Sequence, residues 1–231
     1  MKKYIVLGLL AVLGYFLMNV FLLIDFGMPH FAQGVKDVYL SSSENVLQVS
    51  NVVTAIVVNF RGFDTLGEVT VLFLSATAMS GILYKKRHDI GDRSILFPAS
   101  SIIRAGSKML FPTITLLGVY VFVHGHLSPG GGFQGGTIIA TGFLLMLLTY
   151  QNYSVSHNRL VWVESIAGIL FVVIGLAGYF MKGSFLENVL PVGQLNDLFS
   201  GGVIGIIYVL VGFKVAAELI GIIYTMLHEK G

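Results

Sequence analysis

Long apolar stretches alternate with short polar ones along the whole chain. Six of the apolar stretches have roughly the 20 residues that an α-helix needs to cross about 30 Å of hydrocarbon. We predict helical spans at residues 4–24, 65–84, 109–127, 133–150, 160–181 and 201–227. The pattern therefore predicts an all-α, polytopic integral membrane protein with about six transmembrane helices.

Another apolar stretch, residues 49–60, is too short to cross a membrane alone. We predict a half-helix or an interfacial helix here, leading into the second span. Residues 25–49 before it are polar and contain Gly27, Pro29 and three consecutive serines, a composition that predicts a loop.

The first apolar stretch follows Lys2 and Lys3 and has the outline of a secretory signal. It is longer than the usual apolar core of about 7–15 residues, and no small-x-small cleavage pattern follows it. We therefore expect residues 4–24 to be retained as an anchor helix.

Basic residues predict the orientation of the spans. They are densest at residues 85–93, and the basic character continues to Arg104 and Lys108. Because cytoplasmic loops carry an excess of Lys and Arg, we predict that residues 85–108 are cytoplasmic. Six spans place this segment and both termini on the cytoplasmic side of the cell membrane. A seventh crossing at 49–60 would instead place the basic residues that follow the second span on the outer side.

The basic segment also divides the chain. We predict a two-span module at residues 1–84, a basic cytoplasmic connector at 85–108 and a four-span domain at 109–231.

Composition excludes several classes of function. Only 11% of residues are charged against 55% hydrophobic, and the net charge of +2 gives no reason to expect nucleic acid as a partner. The absence of cysteine excludes disulfides, a thiolate nucleophile and an all-cysteine iron–sulfur site. With no nucleophile–base pair and no cofactor fingerprint, we expect neither an enzyme nor a bound metal or cofactor.

Charged residues at membrane depth are the best candidates for function, because each costs about 2.5–3.5 kcal/mol to insert. Asp64 and Glu68 are four residues apart, so they share one helix face, with Thr65 between them. The two carboxylates can bind or relay a proton or Na⁺, with Arg61 as counter-charge. Alternatively, Arg61 pairs with Asp64 and Asp64 caps the helix.

A glycine-rich stretch, residues 124–136, has the sequence His-Gly-His-Leu-Ser-Pro-Gly-Gly-Gly-Phe-Gln-Gly-Gly. It lacks the Lys-Ser/Thr and the preceding strand of a phosphate-binding loop. Its glycines permit an irregular backbone at a helix break. His124 and His126, two residues apart, would point to different faces of a helix and make a poor metal pair. They remain candidates for a proton relay or for structural hydrogen bonds.

Lys214 and Glu218 are four residues apart within the last predicted span, so they can form an ion pair. The pair is either fixed or a relay in which Lys214 modulates a nearby acid, and Lys214 can also pair with another subunit. Glu164 lies nearer a membrane surface, and we expect a structural role for it. One ionisable residue in a span could be an accident of packing. Several of them in different spans favour a function in ion handling.

Two motifs resemble a known family. Asn-Phe-Arg-Gly-Phe-Asp-Thr-Leu-Gly-Glu at residues 59–68 resembles a motif near the C-terminal end of the large A subunit of Mrp-type cation/proton antiporters. The same module resembles the small E subunit of archaeal membrane-bound hydrogenases. Residues 124–136 resemble the signature of the antiporter B subunit, whose domain is called MnhB. The resemblances cover residues 1–84 and about 95–231. In the antiporters the first module ends a very large chain and the second is a separate protein, whereas here the two are joined in one short chain.

The resemblance implies a component of a multisubunit membrane assembly, related to the membrane arm of respiratory complex I, that exchanges sodium for protons. By position, Asp64 and Glu68 match acids associated with ion passage, and His124 matches the first histidine of the MnhB signature. We expect this chain to work with other antiporter or hydrogenase-like subunits and with lipid, contributing to a translocation path for Na⁺ and H⁺.

Two other functions are weighed against this one. The chain is alternatively a structural subunit of a hydrogenase or sulfane-sulfur reductase complex, which positions the pump subunits without carrying ions. A stand-alone carrier would show inverted repeats with broken helices. Residues 1–84 and 109–231 show no convincing similarity to each other.

Overall fold

A computed structural model describes residues 2–22, 34–86, 99–150 and 152–228. Every regular element within these residues is a helix, which confirms the predicted all-α class. The elements are α1 (Lys2–Leu22), α2 (Val35–Asn45), α3 (Val52–Thr54), the π-helix Ala55–Phe60, α4 (Gly62–Lys86), α5 (Ser101–Val123), α6 (Gly132–Thr149), α7 (His157–Lys182) and α8 (Val203–His228).

Each of the six predicted spans corresponds to a helix. Helices α5 to α8 are long and apolar enough to cross a membrane. Helices α1 and α4 have 21 and 25 residues and coincide with the first two predicted spans. Residues 1–38, which include α1, form one compact unit and residues 39–231 form a second.

Helix α5 begins earlier than predicted, at Ser101 instead of residue 109, and ends at Val123. Its start is set by Ser100, whose hydroxyl accepts a hydrogen bond from the amide of Ile103. Arg104 therefore lies in the first turn of a helix, where a long side chain can reach the membrane surface while its stem packs on apolar groups.

The prediction of a loop over 25–49 was wrong for residues 35–45, which form α2; residues 23–33 lie outside the described residues. Contacts within the fold compensate for the polar sequence of this helix. The Tyr39 ring stacks on Phe60 with centroids 4.9 Å apart, and the buried Ser43 hydroxyl donates to the Tyr39 carbonyl. Hydropathy along the sequence does not reveal such contacts between elements.

The predicted short helix near 49–60 is present as α3 and the π-helix that follows it. Asn51 caps α3 by accepting a bond from the Thr54 amide. The Thr65 hydroxyl donates to the Val57 carbonyl at 2.6 Å, which joins the π-helix to α4. The short helix thus packs against the second span.

Helix α8 lies at the centre of residues 39–231 and packs against α4, α6 and α7. Its residues Ile207, Val211 and Val215 are almost completely buried. Glycine allows the close contact with α6, because a Cβ built on Gly136 would lie 2.7 Å from the Gly212 carbonyl oxygen. Small residues at such crossings let membrane helices approach closely.

Candidate functional site

Three charged side chains meet between α7 and α8. The Lys214 Nζ lies 2.6 Å from Oε1 of Glu218, one turn further along α8, and 3.6 Å from Oε1 of Glu164 on α7. The Lys214, Glu164 and Glu218 side chains are only 10%, 17% and 0% exposed. We call these three residues the acid–lysine triad.

Residues of neighbouring helices pack against the triad. Gly168 lies one turn after Glu164 on α7, and a Cβ built there would lie 3.8 Å from the Lys214 Nζ. The ring of Phe73 on α4 has its centroid 5.4 Å from the same nitrogen, within reach of a cation–π interaction. Residues of α4, α7 and α8 therefore surround one ammonium group.

The triad is unbalanced in charge. Two carboxylates and one ammonium sum to −1 when all three are ionised. An uncompensated charge away from water costs several kcal/mol, which favours the uptake of one proton or one small cation. Oε2 of Glu218 is buried and has no hydrogen-bond partner in the described part of the chain, so this oxygen is available for such uptake.

The sequence predicted the Lys214–Glu218 pair but not the place of Glu164. Glu164 lies beside Lys214 in the structure and therefore belongs to the same group of charges. Which side chains of α7 and α8 meet depends on how the two helices are aligned along their axes, and hydropathy does not contain that information.

The acidic residues on α4 are exposed, unlike those of the acid–lysine triad. Arg61 and Asp64 form an ion pair, and both side chains are more than half exposed. Glu68, one turn further on, is also exposed, whereas Thr65 between the two acids is buried. Asp64 and Glu68 therefore share a face that the other residues described by the structure leave uncovered.

His124 and His126 lie in the turn after α5, not within a helix as predicted. His124 is partly buried, and its ring stacks on Tyr120 with centroids 4.2 Å apart. His126 is 1% exposed, and neither ring nitrogen has a hydrogen-bond partner among the described residues. The two histidines therefore lie in different environments because of the path of the turn, and not because they occupy different faces of a helix.

Burial lowers the pKa of His126 below its ordinary value, and the neighbouring His124 acts in the same direction. The imidazole is therefore kept neutral at neutral pH. Protonation of this ring would place a charge in buried surroundings, and the nearby backbone groups of Asp197, Leu198 and Val123 offset only part of that cost.

A hydrogen-bond network connects the histidine turn to α3 and α8. The Asn51 amide donates to the carbonyls of Gly125 and Ser128, both at 2.9 Å, and the Thr54 hydroxyl donates to the Gly125 carbonyl at 2.7 Å. The Tyr208 hydroxyl on α8 donates to Thr54 at 3.0 Å. We call Asn51, Thr54, Gly125 and Tyr208 the turn clamp.

Sequence reasoning missed the turn clamp. Its signal was present as polar residues, Asn51 and Thr54, inside an otherwise apolar stretch, and as a tyrosine inside the last span. Buried tyrosine hydroxyls usually find a hydrogen-bond partner, so such a residue points to a polar neighbour on another helix.

Two families match this chain. The family described as a domain related to the MnhB subunit of Na⁺/H⁺ antiporters matches residues 102–221. The family described as the E subunit of MBH matches residues 4–99. Among individual proteins, the B subunit of a Na⁺/H⁺ antiporter of Bacillus subtilis is 30% identical over 100 residues, which cover 42% of this chain and 70% of the relative.

Two solved structures have a similar fold. One chain of the membrane-bound sulfane sulfur reductase, an archaeal respiratory membrane complex, is 40% identical, with a TM-score of 0.76 and 98% of each chain covered. A chain of the Mrp complex from Dietzia sp. is 25% identical with a TM-score of 0.70, covering 98% of this chain and 26% of that one. Both neighbours are members of multisubunit membrane complexes.

Proposed function

The chain belongs to the family of domains related to the MnhB subunit of Na⁺/H⁺ antiporters, and from this we propose that it provides part of a sodium/proton path within a larger complex. It is a multi-pass membrane subunit of the Mrp-type antiporter family, which confirms the family predicted from its two motifs.

The acid–lysine triad carries the proposal. Its charge imbalance favours the binding of one proton or one Na⁺, and Oε2 of Glu218 is the oxygen free to accept it. The second oxygen of that carboxylate is held by Lys214. The ammonium therefore keeps the carboxylate in place while the bound proton or cation exchanges.

The acids of α4 provide a second stage of the proposed path. Glu68 is exposed on a membrane helix, and a carboxylate cannot be left in contact with lipid without a large free-energy cost. We expect another subunit to cover Asp64 and Glu68 in the assembled complex.

The bound ions are cargo in this proposal. Na⁺ and H⁺ pass through, and the chain binds no cofactor and catalyses no covalent step. Relatives named as antiporter subunits support a transporter subunit, not an enzyme. The basic residues 85–93 support a cytoplasmic location for both termini in the cell membrane.

The test is sodium-dependent proton exchange in vesicles that carry the whole complex. Glu218→Gln keeps the shape of the side chain and its bond to Lys214 but removes the exchangeable charge. We expect the complex to assemble on a native gel and exchange to be lost. Glu44→Gln, an exposed acid on α2 away from both sites, is the matched control and should keep the native rate. Full exchange by an intact Glu218→Gln complex would refute the proposal.

A structural role is the second candidate function. The chain aligns over 98% of its length with a chain of the sulfane sulfur reductase complex, and this favours a subunit that positions pump subunits in a redox-driven assembly. That role predicts that Glu68→Gln or Glu218→Gln lowers the amount of assembled complex. The native gel therefore separates the two functions: lost assembly indicates scaffolding, and lost exchange with full assembly indicates ion passage.

A further inference from the structure

A cavity of about 420 Å³ lies away from the triad, between the first turns of α5 and the last turn of α6. Its lining is basic and aromatic with one apolar side chain: Arg104, Lys108, Met146, Thr149, Tyr150, Asn152 and Tyr153. The proposed ion path uses none of these residues.

Two cations of the cavity share one face of α5. Arg104 and Lys108 are one turn apart, and both are exposed. Neither forms an ion pair with a carboxylate in the part of the chain that the structure describes. The lining therefore has two positive charges without a described counter-charge, which suits an anion.

The walls of the cavity are held in place. The Tyr150 hydroxyl donates to the Arg104 carbonyl at 2.8 Å, and its ring lies 5.8 Å from the Lys108 Nζ. Buried Ser107 and Thr149 are hydrogen-bonded at 2.8 Å and join α5 to α6 beside the cavity. The cations thus project from a fixed frame.

The position of the cavity indicates the source of the anion. It lies where α5 begins and α6 ends, which is where these spans reach a membrane surface, and tyrosines are common at that depth. The same side of the membrane is predicted to be cytoplasmic. Cytoplasmic leaflets carry anionic lipids, and basic pockets between membrane helices on that side bind lipid headgroups.

We propose that this cavity binds the phosphate of an anionic phospholipid. Arg104 and Lys108 contact the phosphate oxygens, and Asn152 and Tyr153 offer polar groups to the rest of the headgroup. Met146, lying deeper on α6, contacts the start of an acyl chain. A lipid fits this combination better than a free anion, because the lining places the two cations beside tyrosine rings and an apolar methionine at the end of two membrane helices.

The experiment uses the purified complex in nanodiscs made from equal parts of phosphatidylglycerol and phosphatidylcholine. Lipids that remain bound after transfer to detergent are quantified by mass spectrometry. We expect phosphatidylglycerol to be enriched several-fold with the native chain and to fall toward the nanodisc ratio with Arg104→Gln plus Lys108→Gln. Arg159→Gln, a cation at the same end of the bundle but outside the cavity, should keep the enrichment.

Two results would overturn the assignment of this cavity to an anionic phospholipid. Enrichment that is unchanged in the double variant would overturn the proposal. Binding of inorganic phosphate to the native complex without any enrichment of phosphatidylglycerol would identify a free anion as the ligand and also overturn it. If the double variant fails to assemble, the two single variants are used, each of which is expected to lose part of the enrichment.

Discussion

The Lys214 ammonium lies 2.6 Å from Oε1 of Glu218, while Oε2 of the same carboxylate is buried and accepts no hydrogen bond in the described residues. A fixed ion pair would be expected to satisfy both oxygens, because buried polar groups are usually hydrogen-bonded. The unpaired Oε2 therefore offers a buried position for an exchangeable proton.

Lys214→Met tests the central position of the ammonium. The change leaves Glu164 and Glu218 facing each other without a cation, and breaking a buried pair costs about 3–5 kcal/mol. We expect a lower melting temperature and less assembled complex, both measured on membranes. Lys182→Met, at the exposed end of α7, is the control and should have little effect. Equal stability of the two variants would show that the Lys214 charge is not needed.

Glu164→Gln tests the charge imbalance of the triad. The remaining Lys214–Glu218 pair is then neutral by itself, so the driving force for taking up another proton or Na⁺ is removed. We expect normal assembly with strongly reduced sodium-dependent exchange. An exchange rate equal to that of the native complex would mean that Glu164 is only a neighbour of the pair.

The turn clamp should behave as one cooperative network. Tyr208→Phe removes one buried hydrogen bond and Thr54→Val removes two, each worth about 1 kcal/mol, or roughly 2–4 °C in a chain of this size. Because the two hydroxyls bond to each other, the double variant should lose less stability than the sum of the single variants. Tyr179→Phe on an exposed face is the control. Strictly additive losses would contradict the coupling.

Stability should depend on pH through His126. Its pKa is lowered in the folded state by burial, so the unfolded chain binds more protons once the pH falls below the unfolded value near 6.5. Stability is therefore retained above that pH and falls below it, by up to about 1.4 kcal/mol per pH unit. We expect the melting temperature of native complex to fall between pH 7 and pH 5, and less so with His126→Gln. The same slope in both proteins would rule out His126 as its source.

Close packing of α6 on α8 can be tested with one methyl group. Gly136→Ala would place Cβ 2.7 Å from the Gly212 carbonyl oxygen, so the helices must separate. We expect reduced thermal stability and assembly. Gly221→Ala on α8 has no heavy atom within 4 Å of the new Cβ, and should be neutral or slightly stabilising. If Gly136→Ala leaves thermal stability and assembly unchanged, the two helices are not packed closely enough at this crossing for a methyl group to separate them.

Hydropathy and charge predicted the spans, because each apolar stretch is close to the length that a membrane helix needs. The helix Val35–Asn45 was missed, since its stability comes from contacts such as Tyr39 on Phe60. Spacing along one helix predicted the Lys214–Glu218 pair. The contact with Glu164 depends on the alignment of two helices, and no local pattern contains it. The exposed location of Glu68 likewise appears only once the helices are packed.

Infrared difference spectroscopy of the purified complex reports protonated carboxyl groups themselves and therefore tests directly whether the triad holds an exchangeable proton. We expect a band from a protonated carboxyl to disappear when sodium is added or the pH is raised, and Glu218→Gln to lack this change. The same band change in native and Glu218→Gln complexes would contradict the assignment of the exchangeable proton to the triad. So would the absence of any band change in the native protein.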